Sequence, residues 1–250
     1  MGESYTAFAK VYDTLMRDVD YDEWAAYLHG FLLRGGLDTA AVADCACGTG
    51  QLSIRLAQLG HRVTGIDRSE SMLHEAAENA RLRGLTVPFV QQDMKKLRLH
   101  KQTDAVTCAC DGVNYLLSAS EVRAFFKAAH AALRPGGMLL FDVSSRYKLE
   151  HVLGCNTFGE AERACAYLWK NGYDSASRLC EMQLTLFVEN GGLYERFDER
   201  HVQRAHSVRE LTGWLKEAGF TDVRAYEAFT LAAPKDTAER IQFAAVKTAE

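Results

Sequence analysis

The stretch Val42-Ala43-Asp44-Cys45-Ala46-Cys47-Gly48-Thr49-Gly50 decides the fold. It leaves a short apolar segment, passes through a loop of small residues and opens onto Gln51–Leu59. There Leu52, Leu56 and Leu59 recur at helical spacing, with Ile54 and Ala57 beside them. Strand, tight turn and helix in that order place a ligand at a helix N-terminus. Gly48 and Gly50 permit positive φ and let the main chain approach a ligand with no Cβ in between. Asp44, one turn ahead of them, is placed to accept from a ligand ammonium group or to orient the loop's N–H donors. The nearest rival is a dinucleotide loop, because Gly48-x-Gly50-x-x-Ser53 approaches the G-x-G-x-x-G pattern. Ser53 in place of the third glycine, and an acid ahead of the loop, point away from it.

Outward from that loop, the next segments repeat the alternation of strand and helix. Arg62–Asp67 is a short apolar strand tipped by Asp67, where nucleoside-binding α/β folds place an acid that accepts from ribose hydroxyls. Ser69 is an N-cap for a helix over Glu70–Arg83. Val87–Gln91 and Asp104–Ala109 supply a third and a fourth strand, the latter running into the polar cluster Cys110-Asp111-Gly112-Val113-Asn114-Tyr115. Ser120 is read as the cap of a helix reaching Leu133, broken by Arg134-Pro135-Gly136-Gly137 before the strand Met138–Asp142. Ahead of the first strand, helices are expected over Ser4–Met16 (Tyr5, Phe8, Ala9, Tyr12, Leu15 and Met16) and over Tyr21–Leu33, with Gly35-Gly36 ending the second. Phe8, Trp24 and Phe31 read as core. After Arg146 comes a short helical stretch, then Cys165–Lys170, Leu179–Glu189 and Leu193–Arg204 alternate with the period of antiparallel strands. Asn171-Gly172 and Asn190-Gly191-Gly192 are expected as turns between them. Ser207 opens a helix to Gly219, and strands from Phe220 and over Ile241–Val246 close the chain.

Asp44-x-Ala46-x-Gly48-x-Gly50, Asp67-x-Ser69-x-x-Met72-Leu73 and Leu133-Arg134-Pro135-Gly136-Gly137 before an apolar strand together resemble class I S-adenosylmethionine (SAM) methyltransferases. The specific motifs lie between Asp44 and Asp142. The resemblance implies a seven-stranded, mostly parallel Rossmann-like sheet with helices on both faces, an N-terminal helical lid and an antiparallel β insert after the fifth strand. Residues 1–36 would be the lid, 37–145 the cofactor-binding core, 146–206 the insert covering the acceptor and 207–250 the return to the core sheet, all in one domain. It implies SAM as cofactor, held by Tyr12, Asp44, Ala46, Cys47, Gly48, Gly50, Asp67, Arg68 and Met72. At the adenine, Asp93 would accept from the amino group and the Met94 N–H would bond a ring nitrogen, with Cys110 completing the set. Ala46 stands where many members have glycine, a departure of no consequence provided its φ is negative. If the acceptor needs a base, Asp111, Tyr115 and His201 are candidates, the last because imidazole titrates near neutrality. Tyr194, Arg196 and Glu199 are alternative pocket residues. For each candidate the plain structural role, as loop acid, packed tyrosine or surface histidine, stands beside the chemical one.

Composition narrows the function. The 250 residues suffice for one sizeable core, and a net charge of −4 (29 basic against 33 acidic residues) with no basic run counts against an extended nucleic-acid partner. No apolar stretch approaches the roughly 20 residues that span a bilayer, so no membrane partner is expected. Seven cysteines, an odd number, behind an N-terminus without signal-peptide character point to reduced thiols in a cytoplasm. Cys45-x-Cys47 and Cys108-x-Cys110 invite a thiolate zinc site, but such pairs usually have two to four intervening residues. Small buried hydrophobes are the preferred reading, and no metal is expected. Three functions remain: a methyltransferase acting on an N, O or other nucleophile of a small molecule, one acting on RNA or protein, and a SAM-binding module without catalysis. An NAD-dependent dehydrogenase is more distant. Acceptor identity and oligomeric state are not readable from the chain.

Overall fold

Apolar residues of opposite parity along the central strands face opposite ways, and this builds two cores on the two faces of one sheet. The computed structural model describes residues 12–13, 16–161 and 165–248. Strands β1 (Ala41–Cys45), β2 (Arg62–Asp67), β3 (Phe89–Gln91), β4 (Thr103–Cys108) and β5 (Leu133–Ser144) run parallel. Strands β6 (Thr157–Ala161), β7 (Cys165–Asp174), β8 (Leu179–Asn190) and β9 (Leu193–Arg204) form a separate antiparallel sheet. Strands β10 (Phe220–Glu227) and β11 (Arg240–Lys247) return to the first sheet, β11 antiparallel to both β5 and β10. The main sheet therefore has seven strands in the order β10-β11-β5-β4-β1-β2-β3.

Among the described residues, five α-helices of at least eight residues accompany them: α1 (Tyr21–Arg34), α2 (Gln51–Gln58), α3 (Glu70–Leu82), α4 (Ala119–Ala132) and α5 (Val208–Glu217). Val42, Ala105 and Leu140 meet Trp24, Leu28 and Leu32 of α1 and Leu52 and Leu56 of α2 on one face. Ala43, Val106, Leu139 and Phe141 meet Phe125 and Phe126 of α4 and Leu211 and Leu215 of α5 on the other. Trp24 and Phe31 are core residues, as expected. The open parallel sheet with helices on both faces leaves the carboxyl ends of β1 and β4, where the strand order reverses, as the natural ligand crevice.

Several local expectations need correction. The helix proposed for Ser4–Met16 lies largely outside the described residues, Phe8 included, and only its Tyr12–Asp13 portion is seen as helix. Leu59 is the C-cap of α2 and is exposed, because the helix has ended before its side chain could turn inward. The cap of α4 is Ser118, not Ser120: its hydroxyl accepts from Glu121 N while the Glu121 carboxylate reaches back to the cap N–H, a full capping box. Arg134–Gly137 do not interrupt β5 but bulge from it, the ladder jumping from Thr103–Leu133 to Ala105–Met138.

In the insert, Asn171-Gly172 is not a turn. Both lie inside β7, opposite Met182 and Glu181, and the Asn171 amide donates to Asn156 O at 3.2 Å. The reversal falls instead after Asp174, whose carboxylate accepts from Ala176 N and the Ser177 hydroxyl, with Arg178 at φ 60°. Asn190-Gly191-Gly192 does turn the chain, with φ of 62° and 86° at the two glycines. Strand β6 carries no apolar alternation, and all five of its residues are exposed, which is why the sequence does not announce it.

Candidate active site

The carboxyl ends of β1, β2 and β4 open into a cavity of about 550 Å³. Its floor is the main sheet and its roof is the inner face of the insert, from which Tyr167, Trp169, Met182, Leu184, His201 and Gln203 point inward. Period-2 alternation explains that face: the intervening Leu168, Glu181, Gln183 and Arg200 face away from it. The roof is tied down by Asn114, fully buried, whose amide donates to Ser144 O and Arg204 O (3.0 and 2.9 Å) while its oxygen accepts from Ser144 N.

At the β1 end, the loop is organised around two carboxylates. Asp44 is 1% exposed and accepts from the Ser53 hydroxyl (2.5 Å) and the Thr107 hydroxyl (2.7 Å). Burial pushes its pKa up to about 6, against the pull of those two hydroxyls, and among the described residues it makes no ion pair. Ser53 thus has a use that a third glycine could not fill. Asp67 accepts from Gly48 N and Ser69 N, both at 2.9 Å, and so joins the loop after β1 to the loop after β2. Gly48, at φ 54°, has nothing within 4 Å of where a Cβ would stand, leaving open space over the backbone. Ala46 adopts φ 55°, contrary to the negative value on which the sequence reading relied. Gly50 does not line the cavity. At φ 75° it begins α2, and a Cβ there would meet Phe89 at 2.9 Å and Ala76 at 3.0 Å. Its role is close packing.

Tyr12, Ala46, Cys47, Arg68, Met72, Asp93, Met94 and Cys110 all border the cavity. Met72 also packs with Leu186 of the roof, and Asp93 caps the short turn Met94–Lys96 by accepting from Lys95 N. Asp13 follows Tyr12 in the Tyr-Asp pair whose pattern resembles the lid of these methyltransferases. It accepts from Thr49 Oγ1 (2.6 Å), Gln51 Nε2 (2.6 Å) and Asn79 Nδ2 (3.0 Å), clamping the N-terminal segment onto the loop.

At the far end lie the three candidate bases. Cys110 and Asp111 both have positive φ, 55° and 57°, a kink that turns Asp111 into the cavity mouth of β4. One Asp111 oxygen meets Arg240 Nη1 at 2.9 Å, and the other accepts from Gln203 Nε2. The same guanidinium bonds Asp142, whose carboxyl is wholly buried and pushed up in pKa by that burial. Tyr115 and His201 stand edge to face, with ring centroids 6.0 Å apart. Burial lowers the His201 pKa, so the ring is neutral at pH 7. Tyr194 and Arg196 are exposed on the outer part of β9 and lie off the cavity wall, and Glu199 is buried in the sheet without reaching it. Arg240, Gln203 and Lys148, which do line it, sit in no recognisable motif.

A switch-point cavity with a glycine loop on one side and an acid at each of the first two strand tips defines a nucleoside-binding α/β enzyme. Residues 42–137 match the family model of the methyltransferase domain. A protein of Geobacillus sp. (strain WCH70), provisionally named a methyltransferase, is 40% identical over 246 residues, covering 98% of this chain and 100% of its own. A second such protein, from Bacillus subtilis (strain 168), is 40% identical over 247 residues, covering 98% of this chain and 97% of its own. The crystal structure of a SAM-dependent methyltransferase from Clostridium acetobutylicum ATCC 824 superposes with a TM-score of 0.88 at 31% identity, over 98% of this chain and 99% of that one. The chain belongs to the class I SAM-dependent methyltransferase family.

Proposed function

We propose that this enzyme transfers the methyl group of SAM to a nitrogen, oxygen or other nucleophile of a small molecule held beneath the inserted sheet. The observation that carries the reading is the roof: a four-stranded sheet closes over the cavity and presents apolar and aromatic side chains to it. Such a chamber suits a small acceptor better than a polymer. The residues present also fit the cofactor. The open space above Gly48 admits an adenosyl group against the main chain, and buried Asp44, without an ion pair among the described residues, is placed to receive an ammonium. In this reading Asp67 takes the ribose, Asp93 and Met94 take the adenine edge, and Tyr12 and Met72 cover the nucleoside. Residues 37–145 and 207–250 then act as the cofactor-binding core, 146–206 as the acceptor cover and 1–36 as the lid.

SAM supplies a methyl group on a sulfonium, which leaves behind a neutral thioether. The chain's part is to hold the nucleophile in line and keep water out. Both Asp111 oxygens are engaged by Arg240 and Gln203, so Asp111 serves best as a fixed acceptor for a substrate N–H or O–H. His201, neutral at pH 7, takes the acceptor proton, with Tyr115 beside it.

The test is incubation with methyl-labelled SAM and fractionated cell extract. Label is expected in the small-molecule fraction. Label in RNA or protein overturns the proposal, and S-adenosylhomocysteine binding without label in any fraction leaves a binding module. His201→Gln is expected to remove an acid limb that lies below pH 6.5 in the wild-type pH profile. An unchanged profile eliminates His201 as the base.

A further inference from the structure

The cavity wall near Asp111 carries a cation that, among the described residues, makes no direct hydrogen bond or ion pair. Of the basic side chains on the cavity wall, Lys95 bonds Glu121 at 2.7 Å, Arg240 is shared between Asp111 and Asp142, and Arg68 is exposed at the rim. Lys148 is different. It is the first residue of the π-helical segment Lys148–Leu153 that follows β5, and its backbone N–H is fixed by the Ser145 hydroxyl at 3.1 Å. Among the described residues its ammonium has no ion pair or hydrogen bond, although it lines the cavity. Burial and the Arg240 charge act against its protonated form, and Asp111, Glu239 and Asp142 only partly offset them. An ammonium in such a place can be hydrated while the cavity holds water. Once an acceptor displaces that water, the charge needs an oxygen partner. Trp169 and Tyr115, which line the same cavity, suit a flat or ring-bearing molecule.

We propose that the acceptor of this methyltransferase carries an anionic group, a carboxylate or phosphate, and that Lys148 is the specificity-determining residue that receives it. The inference rests on the reading of this cavity as the acceptor site. SAM itself offers a carboxylate, so the test must separate that source from an acidic acceptor.

Binding of benzoate, phenyl phosphate, benzamide and benzylamine is measured by ligand-observed NMR at constant ionic strength, with and without S-adenosylhomocysteine. Benzoate or phenyl phosphate should bind at least tenfold more tightly than benzamide or benzylamine. Whichever of the two anions binds better identifies the group. Lys148→Met should abolish the preference, Lys148→Arg should retain it, and S-adenosylhomocysteine affinity should stay within about twofold in both. Equal binding of benzamide, a preference for benzylamine, or no anion binding at millimolar concentration overturns the proposal. So does a tenfold loss of S-adenosylhomocysteine affinity in Lys148→Met, which would assign the ammonium to the cofactor's carboxylate. Wild-type protein that shows the anion preference but binds no S-adenosylhomocysteine would contradict the cofactor reading while leaving the anion subsite in place.

Discussion

Ala46 of the first loop and Asp44 near the end of β1 each carry a cost. Ala46 sits in the left-handed region at φ 55°, which costs a residue with a Cβ roughly 1–2 kcal/mol. Glycine would relieve it and lose roughly 0.5–1 kcal/mol to unfolded-state entropy. Ala46→Gly is therefore expected to stabilise the protein by about 0–1.5 kcal/mol in urea titrations. Asp44, with its pKa raised from 3.8 to about 6, binds more protons folded than unfolded, so the stability it contributes falls as pH rises across that window. By about pH 7 the ionised form costs on the order of 3 kcal/mol. Asp44→Asn should flatten this part of the stability–pH curve in thermal melts. On the proposed reading it should also weaken SAM binding tenfold or more by calorimetry, because the ammonium would lose its charged partner. A variant that binds SAM normally would mean that Asp44 serves only Ser53 and Thr107.

At the scale of elements, α4 shows how a helix start is coupled to the site. Glu121 completes the capping box with Ser118 and also bonds Lys95, which sits in the turn after Asp93. Ser118→Ala should cost about 1 kcal/mol of stability. Glu121→Ala should cost more and should additionally weaken SAM binding, since it frees Lys95 at the expected adenine end. A melt shift equal to that of Ser118→Ala, with unchanged SAM affinity, would sever that link. Elements announced by local chemistry were legible: the helix starts at Ser69 and Ser207, the Gly191-Gly192 turn, and the apolar strands. Asn171-Gly172 misled because the same pair that makes a tight turn is tolerated inside a strand once Asn171 finds a partner in Asn156. Ser118 and Ser120 are both plausible caps, and only the reach of Glu121 decides between them.

Across the whole molecule, Arg240 joins three strands by bonding Asp111 after β4 and Asp142 in β5 from the start of β11. Arg240→Met would leave Asp142 buried without a cation, at a cost of about 3–5 kcal/mol. Adding Asp142→Asn should recover most of that stability, but not the placement of Asp111. Failure of the double variant to recover in denaturant titrations would show that packing of Arg240 on Trp24, not its charge, is what matters. The sequence by itself determined the alternation of strands and helices, the glycine-containing loop with its acids and the presence of an antiparallel insert. These depend on periodicity, capping and turn chemistry within a few residues of one another. Only the tertiary structure decided that Gly50 packs against Phe89, that Ala46 is left-handed, that Lys148, Gln203 and Arg240 line the cavity, and that Asp13 bonds Thr49 of its loop. Their partners lie far away along the chain, and a contact made by folding leaves no spacing to read.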